Sequence, residues 1–146
     1  LEFTARFGDP ETQSVLLRME DDLFAILYQA SKGKLQIQRI EWKKEATACI
    51  VLASKGYPEN YEKGFPIKGV EEAKNIEGVT VIHAGIILKD GIFHTNGGRV
   101  LNICANGQTI AQTIGRAYLG AKAINYENKY YRSDIGQNVL KKMHYA

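Results

Sequence analysis

The sequence predicts an α+β fold, in which a strand and a helix precede a small antiparallel sheet with flanking helices. Three patterns support this prediction. Apolar residues recur at helical spacing soon after the amino terminus, β-rich runs separated by glycine turns occupy the middle of the chain, and helical spacing returns near the carboxy terminus. We expect two units, residues 1–44 and residues 45–146, with the polar connection 34–44 ending the first.

The first unit is predicted to open with a short strand over residues 1–6, whose side chains alternate. Alternation places Glu2, Thr4 and Arg6 on one face. Glu2 is a hard oxygen ligand of the kind that Mg²⁺ prefers. Arg6 could grip a carboxylate or a phosphate with two hydrogen bonds. A surface ion pair of little energetic value is the alternative interpretation.

A single helix is predicted to follow this strand. Asp9 is a good N-cap, Pro10 suits the first helical position, and Gly33 is expected as the C-cap. The apolar positions of this helix are Leu16, Met19, Leu23, Ile26, Leu27 and Ala30. Its amino terminus carries unpaired N–H groups and can hold an anion, although Asp-Pro is also a common helix start without any function.

The second unit is predicted to carry an antiparallel sheet. Strands are expected over residues 46–54, 79–88, 92–95 and 99–105, and helices over 108–124 and 133–142. Asp90-Gly91 is a strong hairpin signal. The stretch 55–68, with two glycines and two prolines, is predicted as a long loop.

The turn Thr95-Asn96-Gly97-Gly98-Arg99 is a second candidate for chemistry. Two glycines allow backbone N–H groups to face a ligand, and such a nest binds anions. Arg99 could clasp a sugar phosphate or a carboxylate. The alternative is a turn that needs glycine for its backbone, with Arg99 merely solvated.

Composition and charge indicate which classes of binding partner to expect. The 146 residues are 45% hydrophobic and 24% charged, with a net charge of +3. The lysines are scattered or paired, and no basic stripe alternates with aromatic residues, so we expect no nucleic-acid partner. The apolar runs are too short to cross a bilayer, so we expect no membrane partner.

The two cysteines, Cys49 and Cys104, lie inside apolar runs of strand type. Free buried thiols in a reducing cytosol are the favoured interpretation, and a disulfide stays open. Neither cysteine has another at metal-ligand spacing.

The chain resembles the phosphoribosylamine–glycine ligase family at motifs that occur in the family's order. The first is Glu-Phe-Thr-Ala-Arg-Phe-Gly-Asp-Pro-Glu-Thr-Gln over residues 2–13. The others are the segments 56–58, 83–85, 95–101, 116–118 and 132–136. This resemblance implies the carboxy-terminal piece of a longer ligase: residues 1–44 would end an ATP-grasp domain, and residues 45–146 would form a β-rich carboxy-terminal domain.

The resemblance implies an ATP-dependent ligation of glycine to 5-phosphoribosylamine, which gives glycinamide ribonucleotide, ADP and phosphate in purine synthesis. It also implies Mg²⁺ or Mn²⁺ as cofactor, ATP as co-substrate, a cytoplasmic location, and the amino-terminal part of the same enzyme as partner. Glu2 and Thr4 match the metal-ligand positions, although the family usually carries asparagine where Thr4 stands. This chain alone is expected to be inactive.

Further site residues follow from the same resemblance. Arg6 and Asp9 match charged residues of the family signature and are expected to act in catalysis. The expected substrate contacts are Asp9, Pro10, Thr95, Asn96, Gly97 and Arg99. Two other function classes stay open: a sugar-phosphate-binding module without catalysis, and a structural domain of a multidomain enzyme.

Overall fold

The computed structural model describes residues 6–143. Over that part of the chain the elements are α1 (Glu11–Leu16), α2 (Leu23–Ser31), β1 (Ala46–Ser54), α3 (Val70–Lys74), β2 (Val79–His83), β3 (Ile86–Lys89), β4 (Ile92–Thr95), β5 (Arg99–Gly107), α4 (Ile110–Ala123), β6 (Lys129–Tyr130) and α5 (Gln137–Met143). The mixture of helices with antiparallel strands confirms the α+β prediction. The strand expected over residues 1–6 falls almost wholly outside the described residues.

The main sheet has the strand order β2-β5-β1-β6, and the pairs are antiparallel. β3 and β4 form a separate hairpin. Strand β1 has the bounds that its apolar run predicts. The hairpin turn is also confirmed, because Asp90 and Gly91 both adopt the left-handed conformation, with φ of 49° and 78°, that a tight turn of this kind requires.

The hydrophobic core lies between one face of this sheet and helix α4. Ile50, Leu52, Leu101 and Ile103 point from β1 and β5 toward Ala117 and Ala121 of the helix, and all six are almost completely buried. Burying a side chain as large as leucine or isoleucine stabilises a fold by about 1.5–3 kcal/mol. These contacts therefore dominate the energetics of the domain.

The opposite face of the sheet is covered by α1. Side chains alternate along a strand, so Cys49, Asn102 and Cys104 point away from the core and toward this helix. Helix α1 packs against β1 and β5, and the Thr47 hydroxyl donates a 2.9 Å hydrogen bond to the Ser14 carbonyl. The division of the chain after residue 44 stays a prediction.

The prediction of one continuous first helix is wrong. Helix α1 ends at Leu16, and α2 begins at Leu23. Between them Met19 forms a β-bridge with Trp42. Asp22 caps the second helix, since its carboxylate accepts a 3.1 Å hydrogen bond from the Ala25 N–H.

The caps of this region differ from expectation at both ends. Asp9 is not the N-cap, because α1 starts at Glu11 and the cap residue is Pro10, which provides no side-chain cap. Gly33 is not the C-cap, because that position is Lys32; Gly33 lies one residue beyond it in the left-handed conformation, with φ of 64°, which often ends a helix.

The other elements depart from prediction in smaller ways. The run 79–88 divides at residues 84–85 into β2 and β3. Helix α4 starts at Ile110 after a Thr109 cap, and α5 begins at Gln137 rather than at residue 133. Helix α3 and the short strand β6 were not predicted. No helix among residues 6–143 is both long enough and apolar enough to cross a membrane.

Two glycines of α4 give a matched test of its packing. A Cβ atom at Gly120 would lie 2.7 Å from Ile103 Cγ2 and 3.0 Å from Val79 Cγ1, whereas a Cβ atom at Gly115 would meet nothing within 4 Å. We expect Gly120→Ala to lower the free energy of unfolding by about 1–3 kcal/mol through overpacking. Gly115→Ala should raise it by about 0.5–1 kcal/mol because alanine favours helix. Urea unfolding measures both, and equal effects would contradict the close approach of α4 to the sheet.

Candidate functional site

The two motifs that sequence analysis singled out meet at an ion pair between Asp9 and Arg99. Nη2 of Arg99 lies 3.0 Å from Oδ2 of Asp9. Nη1 also donates a 3.4 Å hydrogen bond to the Asp9 backbone carbonyl, across 90 residues of sequence. The two side chains are 39% and 42% exposed, so the pair faces solvent.

The position of Arg99 follows from the start of β5. The pairing of β1 with β5 shifts register between Leu52 and Ala53, next to Arg99. Beyond this shift, Ser54 holds the glycine turn with two bonds: its N–H donates to the Gly98 carbonyl at 2.8 Å, and its hydroxyl donates to the Gly97 carbonyl at 3.0 Å. Ser54 is buried, so the anchor is protected from water.

Close packing explains the two glycines of this turn. A Cβ atom at Gly98 would lie 2.0 Å from the Tyr57 ring, and one at Gly97 would lie 2.9 Å from the Cα of Gly85. The guanidinium carbon of Arg99 lies 5.8 Å from the centre of the Tyr57 ring, within cation–π range. Sequence reasoning did not assign Tyr57 to the site, although its motif Gly56-Tyr57-Pro58 was a signal.

The second carboxylate oxygen of Asp9 is engaged by Gln13. Gln13 Nε2 donates to Asp9 Oδ1 at 2.8 Å. Among the described residues, the buried Gln13 Oε1 and Asn102 Oδ1 have no hydrogen-bond partner. A cavity of about 520 Å³ lies beside Asp9 and Gln13, and Ile82 of β2 contributes to its wall. A carboxylate, a side-chain amide and apolar side chains therefore line the same cavity.

The other predicted site residues differ in their exposure and in their hydrogen bonds. Arg6 is exposed, and its Nη1 donates to the Phe7 carbonyl at 2.7 Å. Thr95 is 1% exposed, and its hydroxyl accepts a hydrogen bond from the Phe65 N–H. Asn96 is exposed, and its N–H donates to the Gly85 carbonyl at 2.7 Å. Substrate contacts by Pro10, Thr95, Asn96 and Gly97 stay predictions.

The described residues alone do not form a metal site. Over residues 6–143, no group of three or more histidine, cysteine, aspartate and glutamate side chains could hold an ion. Both carboxylate oxygens of Asp9 are already occupied, one by Arg99 and one by Gln13. The predicted ligands Glu2 and Thr4 lie outside the described residues.

The motifs near the carboxy terminus have structural roles. The Tyr118 hydroxyl donates to the Arg132 carbonyl at 3.0 Å and accepts from the Ile135 N–H at 2.9 Å, which ties the tail to α4. Arg132 lies 2.7 Å from Asp134 and lowers the pKa of that exposed carboxyl. Arg116 pairs with Glu77 at 2.6 Å.

Comparison with known proteins identifies relatives across most of the chain. The family model described as "Phosphoribosylglycinamide synthetase, C domain" matches residues 47–138. A curated phosphoribosylamine–glycine ligase of Brucella melitensis is 43% identical over 97% of this chain and 33% of its own length. The chloroplastic phosphoribosylamine–glycine ligase of Arabidopsis thaliana is 41% identical over the whole chain and 28% of its own length.

A solved structure shares the fold. The crystal structure of phosphoribosylamine–glycine ligase from Thermotoga maritima superimposes with a TM-score of 0.75 and 32% sequence identity, over 92% of this chain and 32% of that one. The chain spans about one third of the length of the bacterial relatives that it matches. Because the family model covers more than half of its residues, the chain belongs to the phosphoribosylglycinamide synthetase C-domain family.

Proposed function

We propose that this chain is the carboxy-terminal part of an ATP-dependent ligase of purine biosynthesis. The ligase would join glycine to 5-phosphoribosylamine and release glycinamide ribonucleotide, ADP and phosphate. The observation that carries this proposal is the ion pair of Asp9 with Arg99, which unites two motifs of the family on one half-exposed surface. The names of the relatives support the same reaction.

The guanidinium groups of Arg99 and Arg6 would bind negatively charged phosphate or carboxylate groups. An arginine guanidinium matches the geometry of phosphates and carboxylates, and positive groups placed near a transferred phosphoryl group stabilise its transition state. Asp9 would orient Arg99 as well as the amine substrate. Pro10, Asn96 and Gly97 would form part of the substrate wall, and Thr95 would contribute by holding the turn, since its hydroxyl is bonded to Phe65.

We also propose that Glu2 and Thr4 contribute to an Mg²⁺ or Mn²⁺ site that the described residues do not complete by themselves. A bound divalent ion would neutralise phosphate charge on ATP. Threonine offers a shorter side chain than asparagine, so we expect weaker metal binding than in relatives that carry asparagine there.

The rest of the enzyme is the proposed partner, in a cytoplasmic setting. Helix α2 and the segment after it expose several large apolar side chains, including Phe24 at 75% and Tyr28 at 56%. Exposed apolar groups in one neighbourhood are typical of an interface. The chain spans about one third of the length of its bacterial relatives, and we expect the rest of the enzyme to cover this surface.

The structural-domain alternative is favoured by one observation. Gly97 and Gly98 are explained by packing against Gly85 and Tyr57, without any ligand. That explanation does not extend to Asp9 and Arg99, because a half-exposed ion pair contributes only about 0–1 kcal/mol to stability. The ligase proposal therefore depends on this pair and not on the glycines.

The first prediction concerns the chain by itself. We expect purified residues 1–146 to release no phosphate from ATP in the presence of glycine and 5-phosphoribosylamine, because the proposed nucleotide-binding portion is not in this sequence. A phosphate-release assay with a full-length relative as the positive control measures this. Turnover by the chain alone would contradict the proposal.

The second prediction separates recognition by Arg99 from its effect on stability. Arg99→Lys in a full-length polypeptide keeps the charge but loses the two-point geometry and the contact with the Tyr57 ring. We expect kcat/KM to fall by about 10-fold or more, while the free energy of unfolding changes by less than about 1 kcal/mol. Arg132→Lys is the matched control, because Arg132 forms an exposed pair with Asp134 and should leave both quantities unchanged.

The third prediction concerns Arg6, whose side chain is exposed. In a full-length polypeptide, Arg6→Ala should lower kcat by about 100-fold if the guanidinium stabilises the transition state. The unfolding midpoint in urea should stay within experimental error of the parent. Losses of turnover and stability in equal measure would identify Arg6 as a structural residue.

A further inference from the structure

The two cysteines of the chain face each other on two neighbouring strands of the main sheet. Cys49 of β1 is the register partner of Cys104 of β5, and both side chains lie on the face that α1 covers. Both are free thiols. Cys104 is completely buried, whereas Cys49 is half-buried and forms the accessible side of the pair.

The hydrogen-bond pattern shows which kind of cross-strand pair this is. The Asn106 N–H donates to the Gly78 carbonyl, and the Val100 carbonyl accepts from the Ala84 N–H, so the even-numbered residues of β5 direct their backbone groups toward β2. Cys104 shares this direction. It therefore makes no backbone hydrogen bonds with Cys49, and the two form a non-hydrogen-bonded pair with respect to β1.

This geometry matches the requirements of a disulfide. Non-hydrogen-bonded antiparallel pairs have Cα atoms about 4.5 Å apart and side chains that are closer than in the hydrogen-bonded pairs. Disulfides span Cα separations of about 4.4–6.8 Å. The Cα separation typical of such a pair therefore falls within the range that a disulfide spans.

The two thiols are close enough to affect each other's ionisation. The interaction with Cys104 and burial raise the pKa of Cys49. The carboxylates of Asp9 and Glu11 raise the pKa of Cys49 further. Exposure decides which thiol meets an oxidant first, because Cys49 is half-buried and Cys104 is completely buried.

We propose that Cys49 and Cys104 form an oxidation site, in which a peroxide converts the facing thiols to an intramolecular cross-strand disulfide. Cys49, the half-buried thiol, loses its proton and attacks one peroxide oxygen, the O–O bond breaks, and Cys49 becomes a sulfenic acid while water leaves. The Cys104 sulfur then attacks the Cys49 sulfur and displaces the hydroxyl, which takes up the Cys104 proton and leaves as water. Two thiols and one hydrogen peroxide give one disulfide and two waters.

The site lies beneath the candidate functional site without sharing its residues. Asp9 and Glu11 are near enough to affect Cys49 electrostatically, and α1 packs on the same two strands. The proposal rests on the pairing of β1 with β5 and does not depend on the ligase reaction.

The direct test is peptide mapping of the folded protein after treatment with hydrogen peroxide. Free thiols are alkylated under denaturing conditions, and trypsin then releases peptides 45–55 and 100–116, each with one cysteine. We expect a species that joins these two peptides, has lost two hydrogen atoms and separates on reduction. The untreated protein should give both peptides fully alkylated.

Thermal unfolding provides an independent readout. A cross-link between residues far apart in sequence restricts the unfolded chain, so the oxidised protein should melt about 5 °C higher than the reduced one. Cys49→Ser, at the half-buried position, should abolish both the joined peptide and the shift in Tm. Three results would overturn the proposal: full alkylation of both cysteines after peroxide treatment, sulfinic acid on one cysteine without a joined peptide, or a disulfide between two copies of the chain.

Discussion

The antiparallel pairing of β1 with β5 organises both faces of the main sheet. It buries Ile50 and Ile103 beneath α4, and each such side chain contributes about 1.5–3 kcal/mol. The exposed ion pair of Asp9 with Arg99 contributes at most about 1 kcal/mol. The sheet therefore positions the ion pair, and the ion pair does not hold the sheet together.

The same pairing positions Arg99, the proposed contact for an anion. It brings Ser54 to the glycine turn, where two hydrogen bonds fix the backbone immediately before Arg99. Tyr57 packs on Gly98 and supports the guanidinium from one side, and Asp9 holds it from another. A rigid backbone with a half-exposed charged end is suited to recognition of an anion, because little conformational freedom remains to be lost on binding.

Local patterns predicted the local features. The apolar run of β1 and the Asp90-Gly91 turn each depend on neighbouring residues, and both have the predicted bounds. Such local patterns could not predict contacts between residues that are far apart in the sequence. Asp9 has the local signature of an N-cap, but its carboxylate pairs with Arg99, 90 residues away. The predicted single helix is interrupted where Met19 bridges to Trp42, which no helical periodicity can reveal.

We propose that Asp9 and Arg99 act as one functional unit. A double-mutant cycle on kcat/KM measures their coupling, with Asp9→Asn, Arg99→Gln and the double variant in a full-length polypeptide. If the pair is one functional unit, the double variant will lose no more activity than the worse single variant, with a coupling free energy of at least about 1 kcal/mol. If the two losses multiply, each residue acts independently, and the account of the site is wrong.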